Sequence, residues 1–176
     1  AISEGLSQSA VPLQAKGNQG QRQTFMVSGS PIIDADGKTR GALVDFHTRH
    51  KLLILAHSPE MYRLMGRLVA AGKEVKTAQI YADYLALLMK TMRLRTTTRK
   101  HVNVMQHVLG YFKKQLSADE KQEVLQVIAD YRAGLIPLIV PITLLNHFVR
   151  KYDQPYLKQQ VYLNPHPLEL QLRNHV

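Results

Sequence analysis

Residues 98–120 read TRKHVNVMQHVLGYFKKQLSADE, and they decide the fold class. Val102, Met105, Leu109, Phe112 and Leu116 recur at alternating intervals of three and four, the spacing of one helix face. Lys100, Asn103, His107, Gly110 and Lys114 fall on the opposite face. The pattern predicts a helix over about 98–116 with one buried stripe. "SADE" at 117–120 then reads as a capping box, in which Ser accepts a backbone N–H three residues on and Glu reaches back to the Ser N–H. A further helix is expected from there, with Val124, Ile128 and Tyr131 inward and Gly134 ending it.

The same periodicity extends in both directions. Ser58-Pro59 is a helix start, since Ser can cap and proline suits the first turn. Met61, Leu64, Met65 and Leu68 give that helix its apolar side, and Gly72 is expected to stop it. Ile80, Tyr84, Leu88 and Met92, four apart, predict a helix over Thr77–Leu94. VDFHTRHKLLILAH, 44–57, predicts an earlier one with Phe46, Leu53 and Leu52 or Ile54 inward. Beyond Gly134, a helix from Pro137 or Pro141 to Tyr152 is expected, then a short one in PYLKQQVYL. The tail NPHPLELQLRNHV, with two prolines, is expected to pack as an irregular strap. The expected class is mainly α: a bundle of six to seven helices over 44–176, joined by short connections.

Upstream the composition changes. Residues 1–23 are rich in Gln, Ser, Gly and Ala and read as a flexible lead-in. TFMVSGSPII and TRGALVDF lean towards strands and flank Asp36-Gly37, a tight-turn signal, so a β-hairpin leader is expected. A lone hairpin is marginal in water, so this one should dock or pair with another chain. The expected division is 1–43 and 44–176. VSGSPIIDADGKTRGALVDF resembles the closing strands of a PAS sensor domain. The earlier elements of such a domain are not in this sequence, so no sensing pocket is expected from it.

At 176 residues with 45% hydrophobic content, the chain suits one domain with an appendage. No run nears the eighteen or so apolar residues of a membrane span; LIPLIVPITLL, 135–145, is short and carries two prolines. The opening AISEGLSQSA lacks a secretory pattern, and a cytoplasmic location is expected. The absence of cysteine excludes disulfides, thiolate nucleophiles and thiolate-held zinc or iron–sulfur centres within this chain.

Lys and Arg number 23 against 13 Asp and Glu, a formal charge of +10, which favours polyanionic partners. Residues 1–44 hold four basic and three acidic side chains, so the excess belongs to the helical part. KTMRLRTTTRK, 90–100, carries Lys90, Arg93, Arg95, Arg99 and Lys100 and no acid. Arg grips phosphate bidentately, and Thr hydroxyls and helix N-terminal amides also donate to it. A merely solvated turn would usually mix both signs. Arg49, His50, Lys51, Arg63 and Arg67 form a second cluster. Arg63 and Arg67, four apart, repel one another unless an anion lies near; Glu60 can neutralise them in part. Tyr62, Tyr81, Tyr84 and Tyr111 offer rings for base stacking, though tyrosines at helical spacing more often belong to the core.

Catalytic patterns are thin. His47, His50 and His57 fall within about 80° on an ideal helix, which suits a metal joined by Asp45 or Glu60. Yet Ser58-Pro59 breaks that helix, and no His-Glu-x-x-His occurs. No phosphate loop or nucleophile elbow is present, and Asp119-Glu120 is accounted for by capping. No catalytic residue, metal or cofactor is expected.

DFHTRHKLLILAHSPEMYRLMGRLVA, 45–70, and YDQPYLKQQVYLNPHPLELQLRNHV, 152–176, resemble the YbgA-like domain family, long labelled as of unknown function. The resemblance covers about 44–176. It implies a domain that stands alone or follows a cysteine-rich desulfidase domain, whose iron–sulfur cluster removes sulfur from thiouracil or from 4-thiouridine in transfer RNA. It implies RNA holding here and sulfur chemistry elsewhere. Arg49, His50, Lys51, His57, Arg63, Arg67, His166 and Arg173 lie in the matching motifs. The resulting expectation is a non-catalytic RNA-binding module for transfer RNA, acting with a thiouridine desulfidase. The alternative is a structural or protein-interaction domain that oligomerises through the N-terminal hairpin.

Overall fold

Ser117 Oγ accepts the Glu120 N–H at 3.2 Å, and the Glu120 carboxylate accepts the Ser117 N–H at 2.8 Å. The capping box therefore forms where its sequence places it, and it opens one of the seven helices among the described residues. The structure, a computed structural model, describes residues 11–16, 22–27, 40–70 and 77–165. The helices are α1 (Arg40–His57), α2 (Pro59–Ala70), α3 (Thr77–Met92), α4 (Thr98–Gly110), α5 (Ala118–Arg132), α6 (Ile139–Lys151) and α7 (Pro155–Lys158). The fold is mainly α. Two compact units divide the chain at 1–44 and 45–176.

The second unit is built as its periodicity requires. In it α2 packs on α3, and α4, α5 and α6 pack on one another. The α4 stripe supplies Val102, Val104, Met105 and Val108 to the core, followed by Phe112 just beyond the helix. It meets Leu52, Leu55 and Ala56 of α1, Val124 and Ile128 of α5, and Leu145, Phe148 and Val149 of α6. Leu157, Tyr162 and Leu163 close the cluster from the C-terminal side. Full burial of an aliphatic or aromatic side chain of this size stabilises by roughly 1.5–3 kcal/mol, so this cluster dominates the stability of the unit.

The described segment after α7 is held on α1 by the Gln160 side chain and by one backbone hydrogen bond. Gln160 is fully buried; its Oε1 accepts the Leu52 N–H at 3.2 Å, and its Nε2 donates to the Thr48 carbonyl at 2.8 Å. Thr48 and Leu52 are the pair that an α-helix ordinarily joins directly. The Val161 N–H donates to the Arg49 carbonyl at 3.0 Å beside it.

Several boundaries differ from the sequence expectation. Arg40–Leu43, expected as part of the β-hairpin leader, is the start of α1. Leu43 and His47, four apart, are both buried, so helical spacing prevails there over the β-leaning composition. The strands are β1 (Val11–Lys16), within the expected lead-in, and β2 (Arg22–Val27), antiparallel with Val11 opposite Val27 and Lys16 opposite Arg22. The Asp36-Gly37 turn lies outside the described residues. So does most of the PAS-like stretch, whose last part is helical, and that likeness draws no support. Helix α4 ends at Gly110; 111–116 continue as turns, with the Phe112 N–H on the Leu109 carbonyl at 3.1 Å. Helix α7 is a single turn. Gly72 and the tail from His166, Arg173 included, lie outside the described residues. Among the described residues no helix is long and apolar enough to cross a membrane.

Candidate nucleic-acid interface

The basic segment 90–100 is fixed by its meeting with the end of α1. Lys100 Nζ donates to the His57 carbonyl and to the Arg95 carbonyl, each at 2.8 Å. His57 Nδ1–H donates to the Leu94 carbonyl at 2.7 Å. An ammonium at a helix C-terminus also offsets the partial negative charge there. Ser58 Oγ caps α2 by accepting the Met61 N–H at 3.2 Å, and Thr97 caps α4 by accepting the Lys100 N–H at 3.4 Å. Lys100 is thus a fastener of the α1–α2 junction onto the α3–α4 connection. It is not a cation held clear of the protein.

That junction sets α2 beside α3. Thr91 Oγ1 donates to Met65 Sδ at 3.7 Å, and an open groove between the two helices is lined by Leu64, Arg67, Leu68, Asp83, Ala86 and Leu87. The α3 side of this groove follows one helical stripe, which continues through Lys90 to Arg93. Of the basic residues, Arg67 lines the groove; Arg63 lies one turn before it on α2, Lys90 stands in the last turn of α3, and Arg93, Arg95 and Arg99 follow along the chain into the start of α4.

These six side chains are exposed. Among the described residues, the ion pairs join Arg49 to Asp45 at 2.9 Å, Lys151 to Glu120, and Lys158 to Asp153. None of the six takes part. Among the described residues, Glu60 and Asp83 are the carboxylates of α2 and α3. Glu60 lies in the first turn of α2, where the helix dipole favours an acid, and Asp83 accepts Gln79 Nε2 at 2.8 Å. Arg49, His50 and Lys51 sit six to eight residues before His57, about 9–12 Å away along the α1 axis. Arg49 is held by Asp45, and His50 stacks on Phe46 at 3.9 Å and donates from Nδ1 to the Phe46 carbonyl at 2.7 Å.

The histidines do not gather. His47 is 3% exposed and shares a 3.1 Å hydrogen bond from Nδ1 with the hydroxyl of Tyr84, itself buried. His50 turns to Phe46 and His57 to Leu94. Among the described residues no three His, Asp or Glu side chains form a ligand set. The helical-wheel grouping of His47, His50 and His57 fails because each imidazole is claimed by a different neighbour. Burial, aided by the nearby Lys51 and His50 charges, lowers the His47 pKa to about 4. Burial likewise raises that of Tyr84.

Of the four tyrosines, Tyr84 belongs to the core, Tyr62 and Tyr81 are half-buried, and Tyr111 is exposed. The sequence reading did not single out Tyr156, on which Tyr111 stacks with centroids 5.3 Å apart. Forty-five residues separate the two, and no periodicity links them.

Residues 51–167 match the family model described as "Protein of unknown function (DUF1722)". A curated relative, the "Uncharacterized protein YbgA" of Escherichia coli (strain K12), is 34% identical over 139 residues, covering 78% of this chain and 82% of that protein. No solved structure matches the chain.

Proposed function

The chain belongs to the YbgA-like family of proteins of unknown function, DUF1722, and from that premise we propose that its helical unit is a non-catalytic RNA-binding module whose ligand is transfer RNA. One observation carries the proposal. Arg93, Arg95 and Arg99 are exposed without a carboxylate partner among the described residues, as are Arg63 and Arg67 on α2, the helix that packs on α3. Like charges held close together destabilise a surface unless an anion offsets them. A sugar–phosphate strand along the α2–α3 groove supplies anions in a row, and Arg is the side chain best shaped to grip them.

A thiouridine desulfidase is the partner in this proposal. With no cysteine, this chain has no thiolate with which to hold an iron–sulfur cluster, so sulfur removal would fall to the partner and RNA holding to this unit. A cytoplasmic location belongs to the same reading.

The test is binding of bulk transfer RNA by fluorescence anisotropy at two salt concentrations. If six phosphates are neutralised, affinity falls about a thousandfold between roughly 50 and 200 mM monovalent salt. No binding at the lower concentration would end the proposal. Self-association that depends on β1 and β2, with no RNA affinity, would favour assembly through the N-terminal strands.

A further inference from the structure

Helix α4 carries a ridge of residues four apart: Arg99, Asn103, His107 and Tyr111, the last at its C-cap. Arg99, His107 and Tyr111 are exposed, and Asn103 is half-buried. From Tyr84 to Ala118 the sequence holds no Asp or Glu, so this ridge is acid-free from end to end. It begins at the arginine-bearing connection and finishes about 18 Å away, by helical rise, at an aromatic pair.

That pair is built as a platform. Tyr156 of α7 covers one face of the Tyr111 ring, with an interplanar angle of 21°, while Tyr111 keeps 47% of its surface exposed. Gln154 Nε2 donates to Gln115 Oε1 at 2.7 Å and ties the α7 side to the turn that follows α4. Burial, with the neighbouring Tyr111 and Tyr62 phenols, holds the Tyr156 hydroxyl protonated well above its ordinary range. The stack is therefore anchored on its inner side. Lys113 and Lys114 are exposed next to it, and the nearby Asp153 is engaged by Lys158. A rigid ring at the end of a cationic track is the arrangement that single-stranded nucleic acid uses, since every base has a face to stack whatever its sequence.

We infer that Tyr111, backed by Tyr156, is a stacking platform for an unpaired nucleobase, reached by a strand that runs along the α4 ridge from the phosphate-gripping connection. This rests on the RNA-binding reading and sharpens it: the recognised element is a loop or end with an unstacked base, not a uniform duplex.

The test uses the full chain with a short labelled single-stranded RNA and the blunt duplex of the same sequence. Tyr111→Ala should weaken single-strand binding about tenfold. It should leave duplex affinity unchanged, because no phosphate contact is lost, and the salt slope should stay the same. Tyr111→Phe should bind as the native chain does. The chain has no tryptophan, so Tyr111→Trp introduces a single reporter whose emission a stacked base should quench. Native single-strand affinity in Tyr111→Ala, or unquenched emission from bound Tyr111→Trp, would overturn the platform and leave the phosphate grip standing. An equal loss for duplex and single strand would also overturn it. Failure of the native chain to bind either RNA at low salt would overturn both readings together.

Discussion

His47 keeps one nitrogen unsatisfied: its buried Nε2 has no hydrogen-bond partner among the described residues. Gly66 lies near it: an added Cβ there would stand 3.8 Å from that atom. A buried polar atom left without a partner costs roughly 1–3 kcal/mol, and an added proton would bring a charge into the same site. The sign of the pH dependence follows. The unfolded imidazole titrates near 6.5 and the folded one at about 4. As pH falls below 6.5 the unfolded chain takes the proton first. The contribution of neutral His47 is therefore complete above that value and is lost towards pH 4, by on the order of 3 kcal/mol. Urea unfolding at pH 7 and pH 5 should show a smaller acid-induced loss for His47→Gln than for the native chain; equal losses would contradict it. Helical spacing put His47 near other histidines, but its partner Tyr84, 37 residues away, was not legible in the sequence. The same holds for Lys100, which counted as a phosphate ligand by its charge and proves to be held by two carbonyls.

At the scale of elements, local signals served best where they were self-contained. The Ser117–Glu120 capping box, which needs only four residues of context, formed as expected; of the α4 stripe Val102, Met105 and Phe112 are buried, while Leu109 and Leu116 are partly buried and Val104 and Val108 join the core. Arg40–Leu43 misled because the run TRGALVDF leans towards strands, whereas the burial of Leu43 and His47 sets the helical repeat. The attachment of the last described segment could not be read at all, because Gln160 meets α1 more than a hundred positions upstream. Its amide joins two backbone groups within α1 and anchors Tyr162 and Leu163 to the core. Gln160→Ala should lower unfolding stability by about 2–3 kcal/mol, since a buried donor and acceptor lose their partner together. Gln160→Glu should also destabilise, because a carboxylate cannot donate to the Thr48 carbonyl. Chemical denaturation of both variants checks this; an Ala variant as stable as the native chain would show that the Thr48–Leu52 pair simply closes on itself.

For the whole molecule, the charge excess was visible from composition, and its concentration between Lys90 and Lys114 from a count along the chain. What composition could not supply was the neighbour: the end of α1 joins the α3–α4 connection and α4 through the His57–Leu94 and Lys100–His57 hydrogen bonds, and α2, which carries Arg63 and Arg67, packs on α3. The Tyr111–Tyr156 stack is likewise a product of the fold. The central claim is that Arg95 and Arg99 touch phosphate. The most direct measurement is the slope of log affinity against log salt for transfer RNA, compared between the native chain and the Arg95→Ala, Arg99→Ala double variant. Each phosphate contact removed should flatten the slope by about 1, so the account predicts a change of about 2 with the fold intact. An unchanged slope would contradict it.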